Sequence, residues 1–216
     1  MKRLIILLVS SLFAISVASA DTRIGISGAF TALETSGTET RKANSTKSTK
    51  TVEEDVFVPS IFAEYVSDYG IALGVDYIPV EAELGSGTGA NDDAETTGAN
   101  KASAEISGHL TVYALVPMGD SFYVKAGYAM TSIDTTETLA TGTAYGNETV
   151  EGYTVGVGLA QETGNGGFWR LEGTYSDYED ADFNGTLLTE ASASVRNKVN
   201  AELEAVALRF SIGKQF

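Results

Sequence analysis

Eight stretches of this 216-residue chain alternate in the same way, with one parity apolar or small and free of charge. Their approximate limits are 22–32, 56–66, 70–80, 104–116, 121–132, 149–161, 167–177 and 202–216. About ten residues is the length a tilted strand needs to cross a bilayer. The uncharged parity reads Ile24, Ile26, Gly28, Phe30 in the first stretch and Phe57, Pro59, Ile61, Ala63, Tyr65 in the second. It continues as Ile71, Leu73, Val75, Tyr77; as Ile106, Gly108, Leu110, Val112, Ala114, Val116; and as Phe122, Val124, Ala126, Tyr128. Tyr153, Val155, Val157, Leu159; Trp169, Leu171, Gly173, Tyr175; and Val206, Leu208, Phe210, Ile212 complete it. A cation at the bilayer midplane costs about 2–4 kcal/mol, so clean faces are what lipid demands of a spanning strand. The sheet must also close on itself, because lipid cannot satisfy an open edge. The expected fold is all-β: an eight-stranded antiparallel up-and-down transmembrane β-barrel.

The linkers sharpen that expectation. Those at 33–55, 81–103, 133–148 and 178–201 are long and rich in Thr, Ser, Gly, Asn and acids, whereas 67–69, 117–120 and 162–166 are short. Long loops facing outward and short turns facing the periplasm, with both termini inside, is the pattern of a barrel in the bacterial outer membrane. Pro59 removes one ladder donor and predicts a bulge near the outer rim.

Aromatic side chains sort by height in such a barrel. Phe30, Phe57, Tyr77, Tyr128, Tyr153 and Tyr175 fall at the outer rim, and Tyr65, Phe122, Trp169 and Phe216 at the periplasmic rim. Amphipathic rings prefer the headgroup level, so two girdles should bracket the apolar band. The N-terminus reads as an export signal: Lys2 and Arg3, an apolar core from Leu4 to Val17, then small residues at Ala18 and Ala20. This divides the chain into a cleaved segment, 1–20, and a barrel domain, 21–216. Loss of Lys2 and Arg3 changes the net charge from −15 to −17. So acidic a chain is a poor partner for nucleic acid. It has no cysteine, hence no disulfide or thiolate metal site.

The opposite parity faces the lumen and carries charge. Arg23, Lys125, Arg170 and Arg209 are balanced by Glu64, Asp76, Glu105 and Glu172, with Gly74, Gly127, Gly152, Gly156, Gly158 and Ala207 making room between them. An eight-stranded barrel is just wide enough for side chains to fill. The charges therefore form either a salt-bridged plug or a narrow ion path, and the strand count favours the plug. The net negative charge must then lie in loops and rims.

Phe122-Tyr-Val-Lys-Ala-Gly-Tyr128, Arg170-Leu-Glu-Gly-Thr-Tyr175 and the segment from Phe210 to Phe216 resemble the small eight-stranded outer-membrane barrel family, the OmpA transmembrane-domain, OmpX and opacity-protein type. The resemblance covers the mature chain as a pattern. It implies that Phe210, Ile212 and Phe216 form the terminal signal read by the barrel-assembly machinery. Lys214 departs from the family's usual apolar residue two before the end, and Lys can snorkel to the interface. Nothing follows Phe216, so the peptidoglycan-binding domain of OmpA is expected to be absent.

Other chemistry is thin. Glu105, Ser107 and His109 share one parity, but residues two apart on a strand present parallel side chains, a poor geometry for a hydrolase relay. The acidic runs Asn91–Glu95 and Asp177–Asp182 lack the spaced ligands of a calcium loop. Asn44, Asn147 and Asn184 head glycosylation-like triplets that read as loop composition. The expectation is a structural, non-enzymatic barrel without cofactor, monomeric, in contact with outer-membrane lipid and lipopolysaccharide and displaying four long polar loops. The alternative is a narrow porin, or an OmpW-like channel passing small or apolar solutes.

Overall fold

A computed structural model of the chain describes residues 21–40, 47–90, 99–139, 143–187 and 198–216. The signal segment with Ala18 and Ala20, the triplet at Asn44 and the acids of 91–95 lie outside the described residues. The strands are β1 (Asp21–Thr40), β2 (Lys47–Val66), β3 (Ala72–Ile78), β4 (Ala82–Ala90), β5 (Ala99–Pro117), β6 (Phe122–Thr138), β7 (Thr143–Ala144), β8 (Glu148–Glu162), β9 (Gly167–Tyr178), β10 (Ala181–Asn184), β11 (Thr186–Leu187) and β12 (Lys198–Gln215). Eight of them pair antiparallel in a ring, β1-β2-β3-β5-β6-β8-β9-β12, and β12 closes on β1 from Arg23↔Gln215 to Thr40↔Lys198. Closure leaves no edge at membrane depth except where noted below.

The short turns are tight. Ser67 N–H donates to Ile71 O at 2.9 Å, and Gly70 closes that turn at φ 77°, a conformation that favours glycine. Both chain ends of the barrel domain lie at this same end, where Asp21 stands in register with Val66.

Much of what the sequence suggests to be long loop is wall. β1 and β2 stay paired from Asp21↔Val66 to Thr40↔Lys47, twenty residues each. At about 3.3 Å per residue such strands run roughly twice as far as a bilayer crossing needs. Threonine explains why: it is β-branched and its hydroxyl bonds across the ladder. Thr38 and Thr49 lie 2.9 Å apart, and Ser36 and Thr51 3.2 Å, on a hairpin that stands in water. Inside this upper wall, Leu33, Leu84, Ile133, Val150, Phe183 and Leu203 pack as an apolar cluster.

Two irregularities matter. β5 carries a bulge: Ser107 pairs with Ser132 and Leu110 with Met130, leaving Gly108 and His109 opposite Thr131 alone. Gly108 sits at φ 62°, which suits the bulge. The bulge reverses parity above it, so Ile106 turns inward and Glu105 and Ser107 turn out. No register shift occurs at Pro59, contrary to expectation. Instead the ladder between β2 and β3 ends at Ile61↔Tyr77, and β4 pairs with β5 but not with β2. Among the described residues, no backbone ladder joins β2 above Ile61 to Ile78–Ala82 or to β4.

Candidate functional site

The lumen parity brings charges from distant strands together, because a narrow ring places every inward side chain near the axis. Arg170 of β9 reaches across to Glu64 of β2 and donates from both guanidinium nitrogens, at 2.5 Å each. This pair is buried, with Glu64 at 0% side-chain exposure and Arg170 at 6%. The Tyr113 hydroxyl donates to the same carboxylate at 2.6 Å. Lys125 donates to Glu172 at 2.9 Å, and Tyr123 donates to its other oxygen at 3.0 Å. Arg209 donates to Asp76 at 2.6 Å and to the Ser60 hydroxyl at 3.0 Å, while Ser60 donates to Asp76 at 2.8 Å.

Arg23 lies nearer the short-turn end, donating to Gln215 at 2.6 Å and to Glu162 at 3.1 Å. Glu105 is the departure. It is exposed above the bulge, in register with Glu83 and Asp134, and takes no part in these pairs. Glu162, in the strand end read as a turn, is the acid that pairs with Arg23, at the exposed mouth rather than inside the lumen. The same bulge separates the would-be relay: Ser107 donates outside to Asp134 at 2.5 Å, while His109 Nε2 lies inside, 2.7 Å from the Tyr178 hydroxyl.

Aromatic rings, rather than the long basic chains, fill the room left by glycine. Gly25 stands in register with Phe62, Gly213 with Phe168, Gly74 with Tyr113 and Gly158 with Tyr123, and each ring lies over its glycine. Phe168 and Phe62 present their faces to Arg170, whose guanidinium carbon is 4.6 Å and 5.3 Å from the two centroids. Tyr113 does the same for Lys125 at 4.4 Å. Sequence reading missed these rings as lumen residues, although they share parity with Glu64 and Lys125. A Cβ at Gly74 would come within 2.6 Å of Tyr113 Cζ and 2.8 Å of Glu64 Cγ. Gly74→Ala is therefore expected to cost about 1–3 kcal/mol by overpacking, read as a lower urea midpoint.

Outside, the girdle residues are exposed and the band between them is uncharged. Phe30 is 71% exposed and packs on Phe57 with centroids 5.3 Å apart. Tyr128 and Tyr153 stand in register, donating to Glu151 and Asp177 above the band. At the short-turn end Phe122, Trp169 and Phe216 are exposed, Tyr65 is half-buried, and Lys214 Nζ sits 5.3 Å from the Phe216 centroid, while Tyr175 is half-buried at the outer rim in register with Val206. Above Phe30, Glu34 faces outward in register with Glu53 and Glu204, so acid gathers at the outer rim. Asn200 donates to Asp180 and Asp182 there, at 3.3 and 3.1 Å. Among the described residues no group of three or more His, Asp or Glu could hold a metal ion.

Two spaces lie above the ion pairs. A chamber of about 80 Å³ is floored by Arg209, Lys125, Thr154 and Ser176 and walled by Val56, Val58, Ile78 and Val80 at the β2 gap. Over it, at the far end of the tower, opens a vestibule of about 520 Å³ lined by Val52, Leu84, Ile133, Tyr145, Phe183 and Val199. Leu203 borders both. Tyr145 N–H donates to Glu137 beside the vestibule, and burial first, then the Glu39 and Glu137 charges, push the Tyr145 phenol up to about 12.

A closed ring of eight strands, an apolar belt between girdles and a paired polar interior define an integral β-barrel of the bacterial outer-membrane class. The chain is similar to the outer membrane protein OprG from Pseudomonas aeruginosa, with a TM-score of 0.56 and 12% identity over 90% of this chain and 96% of that one. It also aligns with Neisserial surface protein A, at a TM-score of 0.41 and 12% identity over 90% and 97% of the two chains. Ail of Yersinia pestis aligns at 0.42 and 7% over 89% and 99%. At these identities the likeness to OprG speaks for the fold alone. No family model and no curated protein matches the sequence.

Proposed function

We propose that this barrel is closed to axial flow and instead takes small apolar solutes into its outer vestibule and releases them sideways, through the gap above Ile61, into the outer leaflet. The observation that carries this is the break between β2 and β4 beside an apolar-walled chamber. Val56, Val58, Ile78 and Val80 line the way from chamber to gap, while Arg170–Glu64 and the four rings fill the axis below. Of the two readings open at the sequence level, this favours the OmpW-like one. Display remains its companion, since the paired hairpins make a stiff tower that meets solvent and lipopolysaccharide.

In the same reading the barrel works as a monomer, without cofactor or catalytic step. Phe210, Ile212 and Phe216 are then what the barrel-assembly machinery reads. Cells expressing the protein should take up a small apolar dye, one that brightens in lipid, faster than cells without it. Val80→Trp should return uptake to the background rate by filling the chamber at the gap. An unchanged rate in that variant would remove the sideways route. In planar bilayers the protein should show no steady conductance steps. Steady steps abolished by Arg209→Ala would reopen the ion-path reading.

A further inference from the structure

The polar floor of the chamber is incompletely satisfied. Asp76 Oδ1, His109 Nδ1 and Arg209 Nε are buried and have no hydrogen-bond partner among the described residues. His109 and Arg209 line the chamber, and Asp76 holds Arg209 at 2.6 Å beside it. Buried polar groups are nearly always paired, so two orphans lining one cavity and a third beside it, with Arg209 Nε no nearer than 4.0 Å to Glu172 Oε1, call for an occupant that pairs them. About 80 Å³ exceeds what one water needs and suffices for a small head group.

We infer that this floor is a seat for the hydroxyl of an otherwise apolar solute, an alcohol or phenol. This rests on the reading of the chamber as a route for apolar molecules, and adds what their polar end must be. Arg209 Nε–H only donates, and the Asp76 carboxylate only accepts. A hydroxyl does both. His109 takes either role: its Nε2 faces the Tyr178 hydroxyl, and Nδ1 is donor or acceptor according to which of those two donates. Charged heads fit badly. A carboxylate would meet Asp76 and Glu172, and an ammonium would meet Arg209 and Lys125, each in a site with little water to screen it. The apolar body of the solute then lies against Val56, Val58, Ile78 and Val80, pointing at the gap.

His109 is the chain's single histidine, so ¹⁵N-histidine labelling reports on this seat alone. Phenol and benzene serve as probes, titrated against the refolded protein in lipid nanodiscs and corrected for partition into protein-free discs. Phenol should bind about tenfold more tightly than benzene, the effect of one or two net hydrogen bonds, and should shift the His109 ring resonances. His109→Leu should remove most of the advantage of phenol over benzene. Equal binding of the two probes overturns the seat while leaving the apolar chamber standing. Phenol binding without movement of the His109 resonances also overturns it, and shows water alone on the orphans. Binding of neither probe overturns the seat and the sideways route together.

Discussion

Glu64→Gln is expected to lower the unfolding free energy by about 3–5 kcal/mol, the range found when one partner of a buried ion pair is removed. The Glu64 carboxylate accepts two bonds from Arg170 and one from Tyr113 with no exposure to solvent. Glutamine keeps one oxygen and turns an N–H₂ toward donors, leaving the Arg170 charge uncompensated among rings. Phe62 and Phe168 soften the loss by about 0.5–2 kcal/mol of cation–π attraction, but do not replace a carboxylate. Urea unfolding in lipid vesicles would read the change through Trp169, the only tryptophan, one residue from Arg170. The double change Glu64→Leu with Arg170→Met should cost less than Glu64→Gln, because it leaves no charge behind. Arg23→Ala is the internal contrast: its partner Glu162 is 72% exposed, so the expected loss is under about 1 kcal/mol. If Glu64→Gln costs as little as Arg23→Ala, water reaches the pair and the lumen is not plugged.

Which residues face lipid and which face the lumen was legible in the sequence wherever lipid enforces the alternation. Ile24 to Phe30 and Val206 to Ile212 carry it without error, since a charge on that parity would oppose insertion. Above the girdles only the inner face needs apolar residues, and the outer one turns to Thr, Ser and Glu. The two-residue rhythm then fades, and strand 33–40 looks like loop. The bulge was hidden for a related reason. Ile106 and Leu110 share parity and are both apolar, so nothing but an interior glycine at 108 marks the reversal between them. That one extra residue moves Glu105 from the lumen parity to the outer face. Pairing was out of reach altogether: that Arg170 meets Glu64, 106 positions away, depends on ring order and register. The Gly–aromatic pairs had a usable signal, a lumen glycine facing a lumen ring, but only once the register is known.

Ile26→Arg tests the class itself. Ile26 lies two residues inside Gly28 and four inside the Phe30 girdle, 57% exposed and flanked in register by Ile61 and Ile212. If that surface is lipid, the substitution should cost about 2–4 kcal/mol, the penalty for a cation near the midplane. Glu34→Arg, on the same strand and the same parity but above the girdle, should cost about 0–1 kcal/mol. It could even stabilise the fold, because Glu34 stands between Glu53 and Glu204 and like charges directly opposite repel. The two substitutions share backbone, direction and incoming side chain, and differ in height alone. A water-soluble barrel with the same strands makes the opposite forecast: arginine at position 26 would face solvent and be neutral or helpful. Unfolding free energies of the two variants in vesicles, read again through Trp169, therefore separate a lipid belt from an exposed apolar stripe without reference to any relative. Equal costs at the two heights would leave the fold intact and take the membrane away from it.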